Sequence, residues 1–254
     1  MKHGVHSAVV LAGGLGTRLR SAVPDLPKPM APVAGRPFLA HLMDRWIAQG
    51  IRHFVLSVGY RHEAITEYFG RGYRGATLSY AVETRPLGTG GGVLLGASLL
   101  TDSSPFLLLN GDTHFEVELD ALAARAAATS ADWCFALFRT QETGRYMGIE
   151  LASDGRITNL ASGTGLPGRL ANGGVYLVNP RALRGAGADA SGPLSLEDDL
   201  FPCFVAQGQR FVGLECSGSF IDIGVPDDYH RAASVLRLTT TASTEHAAHH
   251  PAHH

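Results

Sequence analysis

The chain has 254 residues, of which 45% are hydrophobic, and a formal net charge of −2 at pH 7. This length supports one sizeable hydrophobic core, so a single domain over residues 1–238 is expected. The nearly balanced charge excludes a broadly basic surface for nucleic acid, although it remains compatible with a small basic pocket for phosphate.

The sequence predicts neither a membrane span nor a secretory signal, because no apolar run is long enough and no basic start leads into one. A cytoplasmic location is therefore expected. Residues 239–254 are small, polar or histidine-rich without apolar periodicity, which predicts a disordered tail. No CxxC pair occurs, so we expect no disulfide or zinc site and three reduced, buried packing residues: Cys134, Cys203 and Cys216.

Apolar runs of strand length alternate with helical patterns along most of the chain. Helices are predicted at 38–47, before a stop at Gly50, at 62–69 and at 119–128. Strands are predicted at 8–11, 53–58, 78–82, 106–109, 133–138 and 174–178. This alternation predicts an α/β fold with a Rossmann-like mixed sheet flanked by helices.

Beyond Met147 the helical alternation weakens. Strands predicted at 147–151, 169–178 and 211–214 would flank one side of a pocket. The segment 161–168, with Ser, Thr, Pro and three glycines, is predicted to be a mobile loop.

A glycine-rich turn follows the first predicted strand. Gly13, Gly14 and Gly16 would let backbone N–H groups approach phosphate oxygens, and residues 17–19 would open a helical turn facing an anion. A P-loop is excluded because no Lys-Ser or Lys-Thr pair follows the glycines. A dinucleotide fingerprint is excluded because Leu19 stands where a small residue is needed.

Two cations accompany this turn. Arg18 lies within the predicted helical turn, and Lys28 stands between Pro27 and Pro29, which stiffen the backbone around it. A strand-to-helix turn without a ligand is the alternative. The rigid placement of a cation weighs against that alternative, since a simple connector has no need of it.

The motif G-G-L-G-T-R-L followed by P-K-P-M resembles the signature of the sugar-1-phosphate nucleotidyltransferases, which make nucleotide sugars. The resemblance implies a nucleotidyltransferase (GT-A-like) fold. It implies catalytic roles for Arg18, which activates the α-phosphate and pyrophosphate, and for Lys28, which binds phosphate. The nucleotide-binding residues implied around the turn are Leu11, Ala12, Gly13, Gly14, Gly16, Thr17, Arg18 and Lys28.

Two aspartates each lie at or just beyond an apolar strand-like segment. Asp112 follows L-L-L-N-G, and Asp222 stands in F-I-D-I-G-V-P. Each could simply accept local backbone hydrogen bonds in a turn. The family resemblance instead implies a shared Mg²⁺, with Asp112 also catalytic, because Mg²⁺ prefers oxygen ligands and completes its shell with water and phosphate. Phe220 and Val225 depart from the family's commoner W-x-D-x-G-T-P form.

The segment E-T-R-P-L-G-T resembles the base-binding loop of guanylyltransferases and assigns nucleotide-binding roles to Glu83, Gly88 and Thr89. A carboxylate accepts hydrogen bonds, and the N1–H and amino group of guanine are adjacent donors. Glu83 would therefore favour guanine over uracil or thymine. An exposed glutamate near a turn is the alternative.

Further segments resemble those that line the family's sugar phosphate pocket. The implied sugar-binding residues are Asn110, Gly148, Asn172 and Glu197. Ser195 and Asp198 also fit a helix capping box. The E-K-P segment that many relatives carry is replaced by A-S-G at 161–163, so the second phosphate-binding cation is unassigned, with Arg156 and Arg169 as alternatives.

Across residues 7–236 the chain is most similar to the bacterial heptose 1-phosphate guanylyltransferases. This implies transfer of GMP from GTP to D-glycero-α-D-manno-heptose 1-phosphate for capsule, lipopolysaccharide or other surface glycan assembly. A mannose 1-phosphate guanylyltransferase, or another hexose 1-phosphate nucleotidyltransferase, is the nearest alternative. A non-catalytic nucleotide-sugar sensor is the alternative from another class. The expected partners are GTP and a sugar 1-phosphate, without nucleic acid or membrane, and homo-oligomer formation is left open.

Overall fold

The computed structural model describes residues 4–14, 19, 23–161, 164–187 and 192–237. The helices in these ranges are α1 (Phe38–Ala48), α2 (His62–Phe69), α3 (Gly88–Ala97), α4 (Leu119–Thr129), α5 (Phe201–Ala206) and α6 (Pro226–Val235). Short 3-10 turns cover Lys28–Met30 and Pro180–Leu183, and a single π-helical turn covers Leu196–Leu200.

The strands of the same ranges belong to one large sheet and two small ribbons. They are β1 (Ser7–Leu11), β2 (Pro32–Val33), β3 (Arg36–Pro37), β4 (His53–Val58), β5 (Gly72–Tyr73), β6 (Ala76–Val82), β7 (Phe106–Asn110), β8 (Thr113–Phe115), β9 (Trp133–Arg139), β10 (Gly148–Leu151), β11 (Ile157–Ala161), β12 (Leu170–Val178), β13 (Phe211–Glu215) and β14 (Phe220–Asp222).

The centre of the large sheet is parallel. Its order is β11-β10-β12-β7-β1-β4-β6-β5, and β9 joins β12 to β13. Strand β1 pairs in parallel with β4 and β7, so that Val9 lies between Val55 and Leu108. Strand β12 runs antiparallel to both β7 and β9. The predicted Rossmann-like mixed sheet flanked by helices is confirmed.

Apolar side chains on the two faces of the sheet build separate cores, because successive strand residues point to opposite faces. One core packs α1, α2 and α4 against residues such as Val10 and Phe54. The other packs α3 and α5 against residues such as Val9 and Trp133. A third, smaller cluster surrounds Ile221 and joins β14, α6 and the β2–β3 ribbon.

Most predicted elements are present. Strand β4 and helix α2 have the predicted bounds, and Gly70 ends α2 with a φ of 59°, a value that favours glycine. Strand β12 was predicted in two versions, at 174–178 and at 169–178. It starts at Leu170, close to the start of the longer version. Bounds elsewhere differ by a few residues at most.

Helix α3 was not predicted, because glycine disfavours helices and five of its ten residues are glycines. Tertiary packing explains it. A Cβ on Gly96 would lie 2.6 Å from Val9 Cγ1, and one on Gly92 would lie 3.1 Å from Ser57 Oγ. The glycines therefore allow the helix to lie directly on β1 and β4, and burial stabilises a segment that propensity alone would not.

Some of the remaining predictions are wrong, and others concern residues outside the described ranges. Cys203 is exposed and Cys216 is partly exposed, so their prediction as buried residues is wrong, whereas Cys134 is buried as predicted and burial raises the pKa of its thiol to about 12. Backbone hydrogen bonds tie Gly165 to Gly144 and Tyr146. Residues 162, 163 and 239–254 lie outside the described ranges, so the mobile loop is only partly within them and the tail not at all. Among the described helices, none is both long and apolar enough to span a bilayer.

Overpacking of the new methyl group of Gly96→Ala against Val9 costs roughly 1–3 kcal/mol. The better helix propensity of alanine offsets about 1 kcal/mol of this cost, so we expect the free energy of unfolding to fall by up to about 2 kcal/mol. Urea unfolding of the single variants Gly96→Ala and Val9→Ala and of the double variant gives the coupling between the two sites. The Gly96→Ala penalty should shrink in the Val9→Ala background. Equal penalties in both backgrounds would contradict this packing account.

Candidate active site

A cavity of about 610 Å³ opens at the carboxyl ends of the parallel strands, where ligands gather in open α/β sheets. The predicted site residues that line it are Leu11, Ala12, Gly13, Gly14, Lys28, Glu83, Gly88, Thr89, Asn110, Asp112 and Glu197. Asp222, Gly148 and Asn172 do not line it. Gly16, Thr17 and Arg18 lie outside the described residues. Tyr60 and Arg85 also line the cavity and were not predicted.

The two described glycines of the first turn differ in their surroundings. A Cβ on Gly13 would lie 2.7 Å from Glu83 Oε1 and 3.3 Å from the Gly59 nitrogen, so this position accepts no side chain without a shift. A Cβ on Gly14 would meet nothing within 4 Å. A side chain at position 13 would thus displace the Glu83 carboxylate, while the open space at Gly14 leaves room for a ligand beside the backbone.

Glu83 follows β6 and holds the loop that starts there. Its Oε2 accepts a hydrogen bond from the Leu87 N–H at 3.0 Å, and its Oε1 accepts one from Ser57 Oγ at 3.4 Å. The carboxylate lines the cavity, so Glu83 is not simply an exposed residue near a turn. Each oxygen of an ionised carboxylate has a second lone pair, which leaves acceptor capacity for a ligand.

Lys28 lies between the two predicted metal carboxylates. The 3-10 turn at Lys28–Met30 begins after Pro27, and the Met30 N–H donates to the Pro27 carbonyl at 2.8 Å. The Lys28 ammonium forms an ion pair with Asp112 Oδ2 and lies 3.7 Å from Asp222 Oδ1. Only 12% of the Lys28 side chain is exposed, so solvent screens these contacts weakly.

The β8–β14 ribbon brings the two aspartates together although they are far apart in the sequence. Asp222 pairs with Thr113 in register, and the Ile223 N–H donates to the Asp112 carbonyl at 3.0 Å. Burial and the neighbouring Asp112 charge raise the pKa of Asp222, while Lys28 and Arg145 oppose this rise. Two carboxylates that already converge on one cation are a suitable oxygen donor set for Mg²⁺.

The described residues contain no cluster of three or more histidine, cysteine and carboxylate side chains that could hold a metal ion. A divalent cation at Asp112 and Asp222 would therefore take its other ligands from water and substrate phosphates. Mg²⁺ commonly binds proteins in this way, through one or two carboxylates.

Arg145 is a half-buried cation that the sequence analysis missed. It forms ion pairs with Asp228 and Glu142 and donates to the Asp222 carbonyl at 3.1 Å. Although burial opposes the change, hydrogen bonds to Asp228 and Glu142 raise the pKa of Arg145. Asp222 and Asp228 are remote in sequence, so only the adjacency of Arg145 to the predicted sugar segment at Gly148 could have drawn attention to it.

Glu197 reaches the cavity from the π-helical turn at Leu196–Leu200. Its Oε2 accepts from Thr89 Oγ1 at 3.1 Å, and that hydroxyl accepts from the Leu196 N–H at 2.8 Å. Burial raises the pKa of Glu197. The turn begins with half of the predicted capping box: Ser195 Oγ accepts from the Asp198 N–H at 3.0 Å, but the Ser195 N–H donates to Asp199 and not to the predicted Asp198.

Two predicted sugar residues lie outside the cavity lining. Asn172 donates to Tyr176 Oη at 2.6 Å and accepts from the Gly174 N–H at 3.1 Å, which braces an irregular part of β12. A Cβ on Gly148 would lie 2.6 Å from Thr164 Oγ1.

The two alternatives for a second phosphate-binding cation are exposed and paired with carboxylates near them on the surface, Arg156 with Asp154 and Arg169 with Glu150.

A second cavity, of about 500 Å³, has Asp222 in its lining. Tyr146 and Phe220 contribute aromatic walls, and Glu142, Asp228 and Arg231 contribute charged groups. Asp222 thus belongs to this second lining, whereas its partner Lys28 lines the first cavity.

Comparisons with known proteins identify the family of the chain. The profile of the family described as "Nucleotidyl transferase" matches residues 7–237. D-glycero-alpha-D-manno-heptose 1-phosphate guanylyltransferase of Aneurinibacillus thermoaerophilus is 38% identical, with 91% of this chain and 98% of that protein covered. The enzyme of the same name from Campylobacter jejuni is 32% identical, with 88% and 96% covered.

Among solved structures, HddC from Yersinia pseudotuberculosis complexed with GMP-PN has a TM-score of 0.78 and 28% identity. The alignment covers 90% of this chain and 98% of HddC. A family match over most of the sequence, relatives of nearly equal length and a shared fold lead to one conclusion. The chain belongs to the nucleotidyl transferase family.

Proposed function

We propose that this chain transfers GMP from GTP to D-glycero-α-D-manno-heptose 1-phosphate, releasing pyrophosphate and GDP-heptose. The observation that carries the proposal is the convergence of Lys28, Asp112 and Asp222 beside the glycine turn of the first cavity. The guanine base and the heptose are supported by the similarity to the heptose 1-phosphate guanylyltransferases, which extends over nearly the whole length of both chains.

The reaction is a direct displacement at phosphorus. An oxygen of the sugar phosphate attacks the α-phosphorus of GTP and forms a new P–O bond. The bond from the α-phosphorus to the bridging oxygen breaks, and pyrophosphate leaves with that electron pair. The attacking phosphate oxygen is already anionic, so no protein nucleophile or general base is required. Catalysis consists of alignment and stabilisation of charge.

The chain's own residues perform these tasks at the phosphates. Gly13 and Gly14 present backbone to the triphosphate, Lys28 donates to its oxygens, and Arg18 activates the α-phosphate and the leaving pyrophosphate. Asp112 and Asp222 would hold a Mg²⁺ ion, which when bound supplies charge that offsets the triphosphate. The ammonium of Lys28 then serves the phosphates instead of the carboxylates.

Glu83 would select the base. Guanine presents N1–H and an amino group as adjacent donors, and the two oxygens of a carboxylate can accept from both. Uracil and thymine present a single N3–H between two carbonyl acceptors, which an acceptor-only carboxylate would repel. The same carboxylate lines the cavity and is held by Leu87, so its orientation is fixed before the base arrives.

The sugar would occupy the side of the site near Asn110 and Glu197, which line the cavity, whereas Gly148 and Asn172, the other two implied sugar-binding residues, lie outside that lining. A carboxylate has about four lone-pair positions, so Glu197 could accept from a sugar hydroxyl in addition to its hydrogen bond from Thr89. The nucleotide sugar so made would enter surface polysaccharide synthesis in the cytoplasm.

The test is Mg²⁺-dependent pyrophosphate release with GTP, ATP, UTP, CTP and dTTP, each paired separately with heptose 1-phosphate and mannose 1-phosphate. We expect selective turnover of GTP with heptose 1-phosphate. Selective turnover with mannose 1-phosphate would replace the proposed sugar and retain the mechanism. Nucleotide binding without turnover of any pair would contradict the proposal and favour a nucleotide-sugar sensor.

Asp112→Asn and Asp222→Asn provide the matched test of the carboxylate pair. Each change keeps the side-chain shape and removes the negative charge, so each should abolish most of the Mg²⁺-dependent turnover. A double variant that retained activity would show that the metal is held elsewhere.

Glu83→Gln should reduce the preference for GTP over ITP, which lacks only the amino group of guanine. The loss of a hydrogen bond to a charged acceptor corresponds to roughly a tenfold to hundredfold fall in kcat/KM for GTP. If Glu83 only braces its loop through Leu87, the variant will slow GTP and ITP equally and leave their ratio unchanged. The measured quantity is that ratio, in the wild type and the variant.

A further inference from the structure

Asp222 is held from opposite sides by two cations. On one side, its Oδ1 lies 3.7 Å from Lys28 Nζ and accepts the Gly224 N–H at 2.7 Å. On the other side, its Oδ2 lies 3.4 Å from Arg145 Nη2, and the same nitrogen donates to its backbone carbonyl at 3.1 Å. The direction in which each oxygen points is therefore determined by a different partner.

The two cations differ in how firmly they are held. Lys28 extends a single ammonium on a flexible stem into the first cavity, where it can turn from the carboxylates to a phosphate. Arg145 has no comparable freedom. Its guanidinium donates to both oxygens of Glu142 at 3.0 Å, pairs with Asp228 and lies 4.9 Å from the Tyr146 ring centre.

The fork geometry of a guanidinium suits this task, because its five N–H donors lie in one plane and reach several acceptors at once. The Arg145 side chain is only 16% exposed, and it links the short strand β14 to the first turn of α6 through Asp222 and Asp228. Strand β14 has three residues and pairs only with β8 among the described strands, so its backbone has few other restraints.

We propose that Arg145 is a positioning residue that fixes Asp222 for divalent-cation binding. Arg145 donates to the backbone carbonyl of Asp222 and lies beside its Oδ2. The other oxygen, Oδ1, lies near Lys28, which also pairs with Asp112. It acts through Asp222 and touches neither the nucleotide nor the sugar. This inference rests on the proposed function in one respect, namely that Asp112 and Asp222 hold the cation.

Arg231 provides a matched control. Like Arg145 it forms an ion pair with Asp228, through the other carboxylate oxygen, but 65% of its side chain is exposed. In the part of the chain that the structure describes, its ion pair is with Asp228 and it has none with Asp222. Because either arginine can balance the Asp228 charge, removal of one leaves that buried carboxylate paired, and both variants should fold.

The experiment measures Mn²⁺ binding to the protein by the loss of the free-ion electron paramagnetic resonance signal, with neither GTP nor acceptor sugar present, because GTP itself binds Mn²⁺. We expect Arg145→Met to weaken Mn²⁺ binding about tenfold or more, as for one lost charge-assisted hydrogen bond. Arg231→Met should leave the affinity near that of the wild type. Arg145→Lys should fall between the two methionine variants, since it restores charge without the fork.

A second readout separates positioning from general damage to the fold. In pyrophosphate release, Arg145→Met should raise the Mg²⁺ concentration required for half-maximal rate, with kcat largely recovered at saturating Mg²⁺. Equal Mn²⁺ affinities in Arg145→Met and Arg231→Met would overturn the proposal. So would a fall in kcat that saturating Mg²⁺ does not reverse.

Failure of the proposed function is distinguishable from failure of this inference, because Mn²⁺ binding requires neither a sugar nor turnover. A different sugar specificity would leave the Mn²⁺ result intact. Asp222→Asn serves as the reference variant: if it binds Mn²⁺ as tightly as the wild type, Asp222 is not a ligand and the positioning role of Arg145 falls with it.

Discussion

The ion cluster of Lys28, Asp112 and Asp222 is the constraint on which the site depends, because it joins three segments that are distant in sequence. Lys28 comes from a proline-flanked turn, Asp112 follows the central strand β7, and Asp222 ends the short strand β14. Apolar contacts around Ile221 hold the third segment against the first, and a backbone hydrogen bond ties it to the second. The hydrophobic packing thus brings like charges together, and the lysine makes their proximity tolerable.

Close approach of backbone to backbone shapes the opposite wall of the cavity. Helix α3 can lie directly on β1 and β4 because its glycines present no side chains to them. This close packing of α3 on the sheet places Thr89, at the start of the helix, in contact with Glu197 and the π-helical turn. A helix with ordinary side chains on this face would stand further from the sheet, and the sugar side of the cavity would be wider.

Local patterns in the sequence predicted most of the sheet, the family resemblance predicted much of the candidate site, and long-range packing accounts for what both missed. Strands such as β4 have apolar runs with clear ends, and Asp112 follows such a run. Helix α3 has poor intrinsic propensity and depends on contacts with Val9 and Ser57, which no local window contains. Arg145 was missed for the same reason, since its partners Asp222 and Asp228 lie in the last strand and helix.

The contact between Gly13 and Glu83 has a consequence for how the cavity can change. Because one oxygen of the glutamate occupies the space that a side chain at position 13 would need, any larger residue there would push this carboxylate away from its hydrogen bonds with Leu87 and Ser57. The predicted phosphate-binding turn and the predicted base-binding loop are therefore coupled through a single contact. A substitution at position 13 is expected to disturb the orientation of Glu83 as well as the turn itself.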